Sequence, residues 1–461
     1  MEKYLKKKIF WFSLVLLALP ILMAGYIMSP SGAEERGPGR SIPAITKFTF
    51  PGDWNKVPTK WVTLFYPGQA NWEFLTSSDH PGRDGIVAGI ACASCHQGQE
   101  KALGARLVNN PRLEPDPIQG KKPSVELQVR AAYDKEYIYF QFQWESAEPG
   151  VTHTLWRYDG KKWVKWGGPK PDVTKQGTTP SYENRLAVIL GQPGKIPAYD
   201  GAKASFSQVG CFATCHASMR AMPKEPSSQA VKADPYFGES GKKRSDIRKY
   251  LLITRSALDE TGGWNKVKDQ KELERLHQEG RFLDLWQWRA SRSGPLGYAG
   301  DDHVFDYRWF DKGKNMFTDP AEAKWMYDAK VTGFNAIPER ELNNHLQHFP
   351  LIIGENAVPL DPKAEFKVGD ILPRPVLQRP TESVADVLAN SFYSAGKWTV
   401  ELRRRLATGQ PDDIVLRPGA SYDIGLAIFD DYVSNRRHYV ILPPLTLGLG
   451  VEAGIRAVEL R

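Results

Sequence analysis

The chain of 461 residues has four cysteines, and all of them fall in two short clusters. These are Cys92-Ala93-Ser94-Cys95-His96 and Cys211-Phe212-Ala213-Thr214-Cys215-His216. In each, a histidine directly follows the second thiol. The first cluster reads C-x-x-C-H, the attachment signature of c-type haem. The second has one more residue between its thiols, and we read it as a second attachment site. Two thiols this close can reach the two vinyl groups of one porphyrin as thioethers, with the adjacent histidine held beneath the iron as proximal ligand. A tetrathiolate zinc site would pair its halves across a short loop, whereas over a hundred residues separate these two. A redox dithiol would need one cluster only. The expectation is two covalently bound haem c groups, held by Cys92, Cys95, Cys211 and Cys215, with His96 and His216 on the irons.

The N-terminus bears on where such a chain resides. Lys3, Lys6, Lys7 and Lys8 precede an uncharged run from Ile9 to Met28, and Ser31-Gly32-Ala33 and the charged Glu34-Glu35-Arg36 come after it. A basic flank kept in the cytoplasm sends the rest of the chain outward. The run is either a signal peptide cut after the small residues or a retained single-pass anchor; its length suits a bilayer core and favours the anchor. Either way residues 34–461 are expected on the outer, periplasmic side of the cytoplasmic membrane. Covalent attachment to haem would also remove thiols that form disulfides in such a compartment. Tyr439 to Ile455 is apolar, but Pro443-Pro444 and Glu452 interrupt it, so it reads as buried strand and loop.

The excess of 61 Lys and Arg over 53 Asp and Glu, a net charge of +8, is scattered. No basic block with interleaved aromatics lies outside the N-terminal tail, which excludes a nucleic-acid-binding pattern.

Residues 37–59 are rich in Pro, Gly and charge and read as a linker. His80, on a Pro/Gly loop sixteen residues before His96, is either the distal ligand of the first haem or an exposed loop histidine. From Lys121 the hydrophobic period becomes two. Val125, Leu127, Val129 and Ala131, then Ile138, Phe140, Phe142 and Trp144, predict a β-hairpin; residues 152–158 and 161–166 predict a second, and Glu183 to Leu190 a further strand. A helix is predicted over Val267 to Glu279. Met219 and Met222 follow the second cluster too closely to reach the far side of its haem, and packing against the haem edge suits them better. The patch Asp284-Leu285-Trp286-Gln287-Trp288-Arg289, continued by Arg292, could hold haem propionates through its arginines, or form an ordinary aromatic core edge. Period two returns at Trp398, Val400 and Leu402, and again from Tyr422 to Ile428. The organisation expected is an anchor or signal segment (1–33), an N-terminal c-type haem module (34–120), and a mainly β domain carrying the second haem (121–461).

Several separated patches resemble the haem-binding domain related to the γ subunit of ethylbenzene dehydrogenase. They are the hairpin Val129-Arg130-Ala131-Ala132-Tyr133-Asp134 with Ile138 to Trp144, Asp284 to Ala290, Gly297-Tyr298-Ala299-Gly300-Asp301-Asp302, and His438-Tyr439-Val440-Ile441-Leu442-Pro443. The stretch from Leu64 through His80-Pro81-Gly82 to His96 is similar to the front module of membrane-anchored dihaem relatives, among them cytochromes that accompany respiratory nitrate reductases. The resemblance implies an antiparallel β-sandwich with haem at one end, and partnership with a molybdenum-containing oxidoreductase. Simple members of that family hold one b-type haem through a methionine and a lysine. Here His438 stands near the lysine position and Met326 is a candidate for the methionine. Met326, His438 or His303 is therefore the expected distal ligand of the second haem; a third, b-type haem between Met326 and His438 is the alternative. The role expected is an electron relay from a membrane quinol-oxidising cytochrome to the molybdenum enzyme. A dihaem peroxidase, or a subunit that merely tethers its partner to the membrane, are the other readings.

Overall fold

The computed structural model describes residues 41–213, 226–259, 261–434 and 437–461. The expected anchor, Cys215, His216, Met219 and Met222 lie outside the described residues. Among those described, no helix is long and apolar enough to cross a membrane.

The fold is built around one 14-stranded, mainly antiparallel sheet. Its principal strands are β1 (Lys60–Phe65), β2 (Ser124–Tyr133), β3 (Tyr137–Glu145), β4 (Leu155–Tyr158), β5 (Trp163–Trp166), β6 (Arg185–Gly191), β7 (Leu283–Arg289), β8 (Gly300–Val304), β9 (Leu388–Ser394), β10 (Lys397–Arg405), β11 (Ser421–Phe429), β12 (Tyr439–Val440), β13 (Leu445–Leu449) and β14 (Ile455–Glu459), with β4 and β5 in a smaller sheet. The predicted hairpins are β2–β3, which turns at Asp134, and β4–β5; Asp134 accepts from the backbone N–H groups of Glu136 and Tyr137, both at 2.8 Å. The predicted helix spans Gln270–Gln278, with the Asp269 side chain capping its first turn.

The sheet folds back on itself. One half runs β9-β10-β3-β2 and the other β11-β6-β7-β8; β1 and β12 join them along one side, and β13 and β14 along the other. Between the halves lies an aromatic core. The rings of Trp144 and Trp288 are 6.1 Å apart, those of Trp288 and Trp398 4.8 Å, and those of Phe140 and Trp286 6.0 Å. Four indoles are buried here, and each aromatic side chain removes roughly 150–250 Å² from water. β7 is buried at every position. Strand alternation explains this: Asp284, Trp286 and Trp288 face the core, while Leu285, Gln287 and Arg289 face the other way into a cavity.

One stretch differs from the sequence expectation. Residues 42–45, in the predicted linker, form a strand on the edge of β9, and Phe48 is buried. The Asn390 side chain accepts from the backbone N–H groups of Lys47 and Phe48 at 2.6 and 3.3 Å, which fixes this stretch despite its composition. The N-terminal haem module also contributes to the large sheet, since β1 pairs with β2 along its whole length.

Candidate functional site

The first cysteine cluster forms a single helical turn. Cys92 is the residue before a four-residue helix, Ala93–His96, and the N–H groups of Cys95 and His96 both donate to its carbonyl, at 3.2 and 3.0 Å. Residues at i, i+3 and i+4 share one helix face, so the C-x-x-C-H spacing aims both thiols and the imidazole the same way. They face a cavity of about 560 Å³ walled by apolar side chains, including Phe65, Phe74, Leu75, Ile86 and Leu107. Cys92 and Cys95 form no disulfide with each other, and both sulfurs face the cavity and could take thioether bonds. Burial pushes the Cys92 thiol up to about 11.

His80 lines the same cavity. Its ring and that of His96 have centroids 6.2 Å apart, inclined at 68°. A metal–imidazole bond is about 2 Å and a ring nitrogen lies about 1 Å from its centroid, so one iron between two imidazoles separates the centroids by about 6 Å. Spacing, apolar walls and unpaired sulfurs all fit a covalently bound haem with His96 and His80 on its two axial sides. Burial, and then the nearby His96, holds His80 below the usual histidine range, which keeps the nitrogen free of a proton and able to ligate. Phe74 packs edge-on against the His80 ring at 5.7 Å, and Gly82 leaves room for it: a Cβ there would lie 3.0 Å from Cε1 of His80.

Of the second cluster, Cys211 is described. It sits in a turn of 3-10 helix, Gly210–Ala213, and lines a cleft on the outer face of β6, β7 and β11. The floor is made by Ala187, Ile189, Leu285, Gly425 and Ala427. The residues at 187, 425 and 427 are small and the floor is apolar, but the cleft is narrow, about 20 Å³. Phe429, Gln287, Lys249 and His438 are shared with a second cavity of about 440 Å³ that continues outward. Its walls present seven cationic side chains, among them Arg185, Arg289, Arg292 and Arg308; Asp319 is the carboxylate in the lining, and Glu183, Asp302 and Asp246 behind it pair with Arg292, Arg308 and Arg248, so part of this charge is already balanced. Burial pulls Arg289 down to about 9, and Arg308 beside it acts in the same direction. A field of this kind attracts a bound dianion such as the two propionates of haem. Arg289 and Arg292 of the sequence patch thus line the cavity, while Trp286 and Trp288 belong to the core.

The predicted distal ligands divide. His438 lines both parts of this site, buried and stacked on Phe429 with centroids 4.3 Å apart. Met326 is buried instead in a separate apolar cluster with Tyr327, Leu351 and Ile371, so Met326 and His438 are not brought together. His303 lies on the core-facing side of β8, where its Nδ1 is 3.1 Å from Asp311; neither it nor Met326 lines the cavities of either cluster. One residue was missed. His153 lines the cationic cavity fully buried, with Nε2 lacking a hydrogen-bond partner, and burial together with Arg292 holds it well below the usual histidine range. Nothing in its neighbourhood in the sequence signals this, since the residues around it in space come from distant strands.

The two sites touch. Cys211 lines the second, and Phe212, the next residue, lines the first. The backbone N–H of Cys92 donates to the carbonyl of Gln208 at 3.2 Å, so the loop that carries Cys211 is stitched to the loop that carries Cys92.

Comparison with known proteins agrees with this chemistry. The family model described as ethylbenzene dehydrogenase matches residues 52–440. Cytochrome c-552 of Stutzerimonas stutzeri is 29% identical over 411 residues, 89% of this chain and 91% of its own length. Cytochrome c-551 of Rhodocyclus tenuis is 28% identical over 172 residues, 37% of this chain and 58% of its own. These relatives support a haem-containing electron-transfer protein with covalently bound haem c.

Proposed function

Because the chain belongs to the ethylbenzene dehydrogenase family, we propose that it is a dihaem c-type cytochrome that passes electrons between partners at the outer face of the cytoplasmic membrane. The carrying observation is the contiguity of the two sites through Cys211 and Phe212. An electron entering at one haem then has a short path through consecutive residues to the other.

Haem supplies the one-electron redox chemistry; the chain's own residues supply the rest. Cys92 and Cys95 would fix the first macrocycle, and His96 and His80 would close both faces of its iron. An iron with no open position carries electrons rather than activating a substrate, and this favours a relay over a dihaem peroxidase. Cys211, Cys215 and His216 would hold the second macrocycle, with His438 as the distal ligand the cavity supports best. The cationic wall would neutralise its propionates and raise its potential.

The donor in this reading is a membrane quinol-oxidising cytochrome. The acceptor is a molybdenum-containing respiratory oxidoreductase such as a nitrate reductase, and residues 9–28 keep the relay at the membrane. Haem content tests the core of the reading. Acid–acetone extraction of the purified full-length protein should leave two haems per chain bound, and a redox titration should resolve two low-spin components. Extraction of all the pigment, or turnover of peroxide at a high-spin iron, would overturn it. Delivery from quinol to the acceptor should stop on His96→Ala, while deletion of residues 1–33 should release the protein from membranes.

A further inference from the structure

Behind the haem cavity, on the core side of the same strands, lies a group of carboxylates that electron transfer does not use. Asp284 of β7 and Asp301 of β8 face inward, and Asp413 approaches from the segment after β10. One carboxylate oxygen of each lies within 4.8 Å of those of the other two, and all three residues are buried. Asp301 is 0% exposed, and neither of its oxygens has a hydrogen-bond partner. Oδ1 of Asp284 and Oδ1 of Asp413 also lack one.

The cation in contact with the group is Arg404, reaching from β10 across the core. It donates to Oδ2 of Asp284 and to the carbonyl of Ile414, the latter at 2.6 Å, and lies 3.4 Å from Oδ1 of Asp413. With all three acids ionised, three carboxylates and one guanidinium leave two negative charges. Burying such an excess without a counter-charge costs several kcal/mol per ion even after relaxation. The neighbouring His303, Asp311 and Asp412 do not supply the missing charge, because they bring two further carboxylates and His303 is already engaged with Asp311 at 3.1 Å and Asp412 at 3.5 Å.

We propose that Asp284, Asp301 and Asp413 bind one divalent cation of the calcium class. The unpartnered donors are all carboxylate oxygens, the set that hard cations prefer over zinc or copper. Calcium–oxygen contacts of about 2.3–2.6 Å let one ion bridge oxygens up to about 5 Å apart, and these lie within 4.8 Å of one another. The ion would tie β7 and β8 to the segment carrying Asp413. Gln287 and Arg289 lie on the reverse side of β7, so the ion would brace the wall of the cationic cavity from behind.

The test uses the full-length haem protein. Elemental analysis after gel filtration should find one calcium per chain in addition to haem iron. Chelation with EDTA should lower the melting temperature by about 3 °C or more, and millimolar Ca²⁺ should restore it saturably. Terbium added to the chelated protein should luminesce on excitation of tryptophan, since Trp286 lies against Arg404 at 4.7 Å. The isosteric Asp301→Asn should lose the calcium, the response to EDTA and the luminescence, with the haem spectrum retained. If Asp301→Asn fails to fold, the measurements on the unmodified protein decide alone. No bound metal together with a melting temperature indifferent to EDTA and Ca²⁺ would overturn the proposal. So would an Asp301→Asn protein as stable as the parent, because Asp301 would then be a buried neutral acid.

Discussion

The backbone N–H of Cys92 points at the carbonyl of Gln208, 3.2 Å away, although one belongs to the first attachment loop and the other to the approach to the second. Between Gln208 and Cys211 stands Gly210, whose φ of +54° is strained for any other residue and whose Cβ would lie 2.8 Å from Pro444. Gly210→Ala is expected to destabilise the protein by about 1–3 kcal/mol and to reduce loading of the second haem before the first. Haem per chain before and after acid–acetone extraction, with a denaturation curve, checks this.

His80 should decide the character of the first iron. His80→Ala is expected to keep covalent haem but convert one component from low-spin to high-spin in the absorption and EPR spectra. His80→Met should retain the low-spin state and raise that component's potential by roughly 100 mV, well within the ~0.8 V that axial ligands span. An unchanged spectrum in both variants would remove His80 from the iron.

Gly82 should act through the same ring. Its Cβ would meet Cε1 of His80 at 3.0 Å and Nδ1 at 3.4 Å. Gly82→Ala therefore has to push the imidazole by a few tenths of an ångström, at a cost of about 1 kcal/mol. The expected result is a mixed-spin first haem at full haem content, which distinguishes a displaced ligand from a misfolded module.

The cationic wall should tune the second haem. Positive charge nearby favours the reduced iron, so Arg289→Gln is expected to lower that haem's potential by about 30–60 mV, where 59 mV is a tenfold change in a one-electron equilibrium. The first haem should stay where it was. A spectroelectrochemical titration separates the two.

Lys121 gives a pH dependence of defined sign. It is buried, with Nζ donating to the carbonyl of Asp430 at 2.9 Å and lying 4.3 Å above the Tyr439 ring. Burial brings it down to about 8 from the ordinary 10.5. Between those values the unfolded chain holds a proton that the folded one has released, so stability rises with pH across that window. Relative to Lys121→Met, the parent protein should gain about 2 kcal/mol between pH 7.5 and 10 in urea denaturation.

The first cysteine cluster was readable because its residues are nearly consecutive: a helical turn converts Cys92, Cys95 and His96 directly into geometry. The strands β2, β3, β10 and β11 were readable from period two. Of the cationic wall, Arg289 and Arg292 were readable from one short patch, whereas Arg185, Arg308 and Arg374 come from separate stretches that only the sheet assembles. His303 lies away from the cavities of both cysteine clusters for a related reason. It pairs with Asp284 and shares its face, whereas Asp302 next to it points to the side that carries Arg289 and accepts from Arg308 at 3.0 Å. Parity along a strand decides such cases, and it becomes visible only once a partner strand fixes which side is inner. The strand over residues 42–45 escaped because its partner, around Ser391 and Tyr393, lies far away in the chain, where Asn390 also holds the following Lys47 and Phe48.

β7 has no solvent side, and this makes it intolerant of length changes. A single inserted residue before Leu285 would reverse every side chain beyond it. Arg289 would be driven in among Trp144 and Trp398, and the indoles of Trp286 and Trp288 would be swung out toward the guanidinium groups. Deletions and insertions that a surface strand absorbs as a register slip would here exchange the dry half of the protein for its charged half.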